Sequence, residues 1–126
     1  MKEDRYPLAE KQPHRLKTPS GLAFDQITLE AVLAGSITMA DLRVTPEALE
    51  LQAEIARAAG RTQLAENLGR AAELARVPED LILRIYNALR PGRATRAELE
   101  RLAAQLEKDY QAPRCARLIR EAAEAI

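Results

Sequence analysis

Three observations predict an all-α fold for this 126-residue chain. From Thr28 onward apolar residues recur at i, i+3, i+4 and i+7, and no stretch alternates apolar and polar residues long enough for a strand. Ala and Leu dominate the apolar set while aromatics make up only 3% (Tyr6, Phe24, Tyr86, Tyr110), which suits closely packed helices better than a sheet sandwich. Threonine and proline stand where the periodic segments begin, and glycine stands where several end. The expected architecture is a compact multi-helix domain, residues 28–126, of short antiparallel or steeply crossing helices. An extended N-terminal arm, residues 1–27, precedes it.

The arm is set apart by its punctuation. Pro7, Pro13, Pro19 and Gly21 interrupt it, and each proline biases its neighbour toward extended geometry. Leu8, Leu16, Leu22 and Phe24 are scattered through it without helical period, so it should be ordered only where it lies against its own domain or a partner.

The helical elements follow in order. Thr28 caps "LEAVLA", with Gly35 as its stop, and Thr38 caps a short "MADL" turn. Thr45-Pro46 supplies an N-cap followed by proline at the first helical position. The helix it opens runs to Gly60 with Ala48, Leu51, Ile55 and Ala59 on one face. A helix over 62–76 aligns Leu64, Leu68, Ala71 and Ala75, and Pro78 opens one that turns Leu81, Ile82, Ile85 and Leu89 inward. Thr95 and Glu98 form a capping box ahead of Leu99, Leu102, Leu106 and Tyr110. A last helix from Pro113 aligns Cys115, Leu118, Ala122 and Ile126.

Charge and composition narrow the function classes. Nineteen basic and nineteen acidic residues cancel, whereas a nucleic-acid binder normally carries a basic excess, so no nucleic-acid partner is expected. A DNA reader built on "TRAELERLAAQL" would present Glu98, Glu100 and Glu107 to phosphates. No apolar run reaches membrane-spanning length, the start "MKEDRYPLAEKQP" lacks the core of a signal peptide, and a lone cysteine fits a reducing compartment. A cytoplasmic protein with no membrane partner is the expectation.

A search for chemistry finds none. One histidine, His14, on the arm and one cysteine, Cys115, on the last helix give no metal-ligand spacing and no nucleophile–base pair. His14 reads as a solvated arm residue and Cys115 as a small core residue. The five glycines form no phosphate loop. No catalytic, cofactor-binding or metal-binding residue is therefore assigned. Arginine remains: fifteen of the nineteen basic residues are Arg, whose planar fork suits interface ion pairs with carboxylates. Arg90, Arg93 and Arg96 cluster around the Pro91-Gly92 turn near Tyr86, beyond regular i, i+4 pairing. Tyr86, Arg90, Arg93 and Arg96 are the candidate partner contacts. At this level a helical adaptor or scaffold protein remains open.

Four stretches, "PLAEKQPHRLKTPSG", "ITLEAVLAGSITMADLRVTPEALELQAEIARAAGR", "LARVPEDLILRIYNALRPGRATRAEL" and "YQAPRCARLIREAAE", closely resemble the small subunit of adenosylcobalamin-dependent diol and glycerol dehydratases. The resemblance spans residues 6–124 and implies a subunit of a lyase rather than a free-standing enzyme. In that family a large barrel subunit holds the substrate and a metal ion, and a medium subunit helps enclose the cobalamin. The small subunit packs outside, in a dimer of αβγ heterotrimers. Homolysis of the cobalt–carbon bond gives an adenosyl radical that takes hydrogen from the diol, and loss of water yields the aldehyde. The resemblance thus implies adenosylcobalamin in the holoenzyme, not on this chain. Two departures stand out. Members often carry a lysine-rich C-terminal tail, and some carry an amphipathic N-terminal extension associated with microcompartment encapsulation. Only "MKEDR" precedes the shared region here, so encapsulation through this subunit is not expected.

Overall fold

The computed structural model describes residues 4–126, so most of the Met1–Arg5 leader, read above as too short for an amphipathic helix, lies outside them. Among the described residues there are seven α-helices and three 3-10 turns. Among the described residues, β pairing is limited to one isolated antiparallel bridge between Lys17 and Ala23. No helix among them is long and apolar enough to cross a membrane. The all-α expectation holds. The chain divides into two compact units, Met1–Leu68 and Gly69–Ile126.

In the N-terminal unit, α1 (Leu8–Lys11) is a single turn, α2 is Leu29–Leu33, and α3 is Pro46–Ala58. Leu8 is buried against Leu51 and Ile55 of α3, with Leu16 packed on them. The proline-rich arm is thus anchored to its own chain at two leucines. Thr18 is buried as well: its Oγ1 accepts a hydrogen bond from Leu22 N at 3.0 Å, fixing the turn between the bridge residues. His14 is exposed, as expected.

Capping follows the sequence closely. Thr28 Oγ1 accepts from Ala31 N at 3.2 Å and Thr45 Oγ1 accepts from Ala48 N at 3.2 Å, each satisfying an otherwise orphaned donor of the first turn. Thr38 N donates to Asp41 Oδ2 at 3.0 Å, closing the "MADL" turn. At the end of α3, Gly60 has φ of 81°, a left-handed conformation that costs little without a Cβ. It lets Gly60 N donate to Arg57 O and Arg61 N to Ala56 O, at 3.0 and 2.8 Å, in a Schellman closure.

The helix α4 (Thr62–Leu74) leads into the C-terminal unit, which continues with α5 (Glu79–Ala88), α6 (Arg96–Tyr110) and α7 (Pro113–Glu124). Eleven buried apolar residues from Val77 to Ala123 form its core, with Leu99, Leu106 and Ile119 the largest fully buried side chains. Leu99, Ala103 and Leu106 of α6, together with Cys115, Ala116, Ile119 and Ala123 of α7, contribute most of it.

Leu89 at the end of α5 and Ala59 at the end of α3, expected inward, are exposed, and two whole helix faces differ from the sequence expectation. On α4 the buried positions are Ala65, Gly69, Ala72 and Glu73, while Leu64 faces solvent. On α7, Ala116, Ile119 and Ala123 join Cys115 inside, and Leu118 and Ile126 are exposed. Both faces are rotated by about one residue, because small residues admit closer helix approach than the leucines beside them and the closest packing sets the seam.

Candidate docking surfaces

The corner between α5 and α6 is built from local signals. After the last turn of α5, Arg90 N donates to Asn87 O at 3.3 Å and Arg93 N to Arg90 O at 3.1 Å. Gly92 takes φ of 75° between them. Thr95 then starts α6 with a complete capping box: Glu98 N donates to Thr95 Oγ1 at 3.2 Å, and Thr95 N donates to Glu98 Oε2 at 3.1 Å. The corner is therefore rigid by its own hydrogen bonds, and its side chains project from a fixed platform.

Tyr86, Arg90, Arg93 and Arg96 are all exposed, Tyr86 to 66%. They do not form one cluster. A surface groove of about 780 Å³ beside the corner takes Arg93 into its wall, together with Arg84 of α5 and Arg101 of α6, while Tyr86, Arg90 and Arg96 lie outside the groove. Ala88, Ala94 and Leu102 give it an apolar lining, and Glu98 is its single carboxylate. Among the described residues, none of Arg84, Arg90, Arg93, Arg96 and Arg101 has an ion-pair partner. Arg84 and Arg101 escaped the sequence reading because they are distant from Arg93 in sequence. Each lies about one and a half helical turns from the corner on its own helix, and that matched spacing is the signal that could have found them.

Several other arginines are engaged across elements. Arg120 of α7 meets Glu107 and, at 3.4 Å, Glu100 of α6, while Arg117–Glu121 is an i, i+4 pair. Arg114 Nη1 lies 3.6 Å from Glu73 Oε1 and donates to Gly69 O at 3.3 Å. Glu73 is 3% exposed and accepts from two backbone amides at the start of α7, Arg114 N at 3.0 Å and Cys115 N at 2.9 Å. It is a cap supplied from another helix, so its charge sits where the partial positive end of α7 favours it. Periodicity could not reveal it, because a Glu inside a helix ordinarily reads as solvated.

The Cys115 thiol donates to Arg70 O at 3.5 Å, and burial, then the neighbouring Glu73, push its pKa up to about 12. Such a thiol stays protonated and is a poor nucleophile. Among the described residues, no group of three His, Cys, Asp or Glu side chains converges on a metal-sized site. What the surface offers is recognition: unpaired guanidinium forks over an apolar lining, suited to carboxylates on another chain.

A second surface lies in the N-terminal unit. From Phe24 to Val44 the large apolar residues Phe24, Ile27, Leu29, Val32, Leu33, Met39, Leu42 and Val44 are all exposed, with Leu33 at 78% and Met39 at 79%. The sequence reading treated this stretch as ordinary capped helices and assigned it no role.

Two comparisons bear on these surfaces. Residues 1–126 match the family described as dehydratase small subunit. The propanediol dehydratase small subunit of Citrobacter freundii is 56% identical over 118 residues, covering 94% of this chain and 69% of the relative. That of Salmonella typhimurium strain LT2 is 55% identical over 118 residues, covering 94% and 68%. With this family match over residues 1–126 and this identity along nearly its whole length, the chain belongs to the dehydratase small-subunit family.

Proposed function

We propose that this chain is the non-catalytic small subunit of an adenosylcobalamin-dependent dehydratase that converts 1,2-diols to aldehydes. It works in the cytoplasm within a dimer of αβγ heterotrimers. The relatives are named for propanediol, which favours propane-1,2-diol over glycerol as the substrate of the assembly. The observation that carries the reading is the identity of more than half over 118 residues to small subunits of that enzyme.

The donor set of this chain does not fit the cobalamin cofactor. His14 is exposed on the 3-10 turn Pro13–Arg15, and Cys115 is a buried thiol with a strongly raised pKa. The cofactor and the radical steps therefore belong to the larger subunits, and this chain contributes binding surface. In this reading Tyr86, Arg90, Arg93 and Arg96 contact a larger subunit, Arg93 acting together with Arg84 and Arg101 across the groove.

Co-expression with the neighbouring reading frames, followed by affinity purification on a larger subunit, tests the assignment. Stoichiometric recovery of this chain with adenosylcobalamin-dependent dehydratase activity is expected, while the chain alone binds no cobalamin. Micromolar cobalamin binding by the isolated chain would overturn the division of roles. For the corner, Arg90→Ala with Arg93→Ala should weaken assembly by about 3–5 kcal/mol if the pairs are buried, and by about 0–1 kcal/mol at an exposed rim. Thr95→Ala is the control: it lowers the chain's own stability through loss of the cap without touching the arginines.

A further inference from the structure

The stretch from Phe24 to Val44 is the least self-sufficient part of the described chain. The helix α2 has no buried residue, nor do the 3-10 turns Phe24–Gln26 and Met39–Leu42 that flank it. Ile37 is the one buried side chain in the stretch. Yet the segment is rich in material that normally forms a core. More than half of the exposed large apolar side chains among the described residues fall within this sixth of the chain. Leu29, Val32 and Leu33 have i, i+3, i+4 spacing and so share one face of α2. Concentrated exposure of this kind marks an interaction surface.

Its charge leans acidic. Between Phe24 and Val44 the carboxylates of Asp25, Glu30 and Asp41 outnumber the single cation, Arg43. Asp41 is held in place by Ser20 and by the Thr38 amide, and these hydrogen bonds keep its carboxyl below its ordinary range, so it is ionised at neutral pH. Two copies pairing through this face would set three carboxylates and one guanidinium against the same set, a net repulsion.

We propose that Phe24–Val44 is a docking segment that seats in an apolar groove, bordered by Arg or Lys, on a larger subunit of the dehydratase assembly. The proposal rests on the small-subunit reading, because that reading supplies the larger subunit. Apolar contact through Leu29, Val32, Leu33, Met39 and Leu42 provides affinity, and the carboxylates select a basic rim and fix orientation. The segment is prefolded by the Thr28 cap and the Thr38–Asp41 turn, so docking orders little additional backbone.

The test uses the complete assembly, with the affinity tag on a larger subunit, and compares three versions of this chain. The unmodified chain should be recovered stoichiometrically. Leu29→Ser with Leu33→Ser should cut recovery at least tenfold while leaving the far-UV circular dichroism of the chain unchanged, since neither side chain supports the fold. Asp25→Lys should cut recovery at low salt and regain part of it at high salt. Failure of the unmodified chain to co-purify would overturn the small-subunit reading itself. Normal recovery of the unmodified chain and of both variants would overturn the docking segment alone. A dimer of the isolated chain that both variants abolish, with recovery on the larger subunit unaffected, would overturn it in favour of a second copy as the occupant.

Discussion

Among the described residues, the C-terminal unit closes around eleven buried apolar side chains, whereas the N-terminal unit gathers Leu8, Leu51 and Ile55 into its one cluster and leaves eight large apolar side chains of Phe24–Val44 in solvent. Burying a Leu or Ile contributes about 1.5–3 kcal/mol, and ordering one residue's backbone costs about 1–2 kcal/mol. The C-terminal unit therefore has its main source of stability inside itself. The N-terminal unit leaves much of its apolar surface in water. Caps and turns at Thr28, Thr38 and Thr45 give the N-terminal unit its shape, but they satisfy backbone donors rather than remove apolar surface from water. Shape and stability are thus separable within one small chain.

The sharpest measure of this difference is hydrogen exchange on the isolated chain. Amides of Leu99–Leu106 should be protected near the limit set by global opening, while those of Leu29–Leu33, on a capped helix without buried residues, open locally and should exchange at least about a hundredfold faster. Equal protection in both segments would erase the distinction. In the assembly, protection should appear at Leu29–Leu33.

Truncation at matched residue types tests the same contrast energetically. Leu106→Ala empties a fully buried site on α6 and should cost about 2–5 kcal/mol in denaturant unfolding. Leu29→Ala changes an exposed side chain and should stay within about 0.5 kcal/mol. A large effect of Leu29→Ala on the isolated chain would mean that α2 supports the fold after all.

Glu73 supplies the next effect in size. Glu73→Ala leaves two amides at the start of α7 without their acceptor and should lower stability by about 3 kcal/mol. Glu73→Gln, with one acceptor oxygen in place of two, should fall between. Unfolding midpoints followed by circular dichroism distinguish the three proteins. Parity of Glu73→Ala with the unmodified chain would mean that water caps α7 equally well.

A further effect is a pH dependence of the C-terminal unit. The Cys115 thiol is neutral when protonated, and its folded pKa of about 12 lies above the ordinary value of 9.0. The unfolded chain loses this proton from about pH 9, while the folded chain keeps it until about pH 12, so stability falls as pH rises through that window. Cys115→Ala should flatten this part of the stability profile, and an unchanged slope would show that other groups cause the decline.

Much of the fold was legible because its signals are local. Thr28, Thr45 and Thr95 accept first-turn amides as read from the sequence, whereas the Thr38 turn is closed by Asp41 accepting from the Thr38 amide; Pro46 and Pro113 stand in the first turn of their helices, and the capping box at Thr95 is complete. The seams of α4 and α7 were less legible. Their periodicity admits two adjacent faces, and the choice fell to whichever small residues, Gly69 and Ala72 or Ala116 and Ala123, allow helices closest together. The docking surfaces were legible only in part. Arg93 was found from its neighbours in the turn, whereas Arg84 and Arg101 needed the groove to bring them to it. Phe24–Val44 was missed because an apolar residue in a capped helix reads as core, and only the exposure of α2 shows that the core is absent there.

The reach of Glu73 to the start of α7 also sets an order of events. Ala112, ahead of α7, offers no capping side chain, and the two amides that open the helix wait for a carboxylate 41 and 42 residues earlier in the chain. A short helix without its first-turn acceptor nucleates poorly. Bringing Glu73 to it requires closing a loop of some forty residues, whose entropic cost falls before the reward arrives. The last helix should therefore join late in folding, after α4 and its intervening partners have assembled.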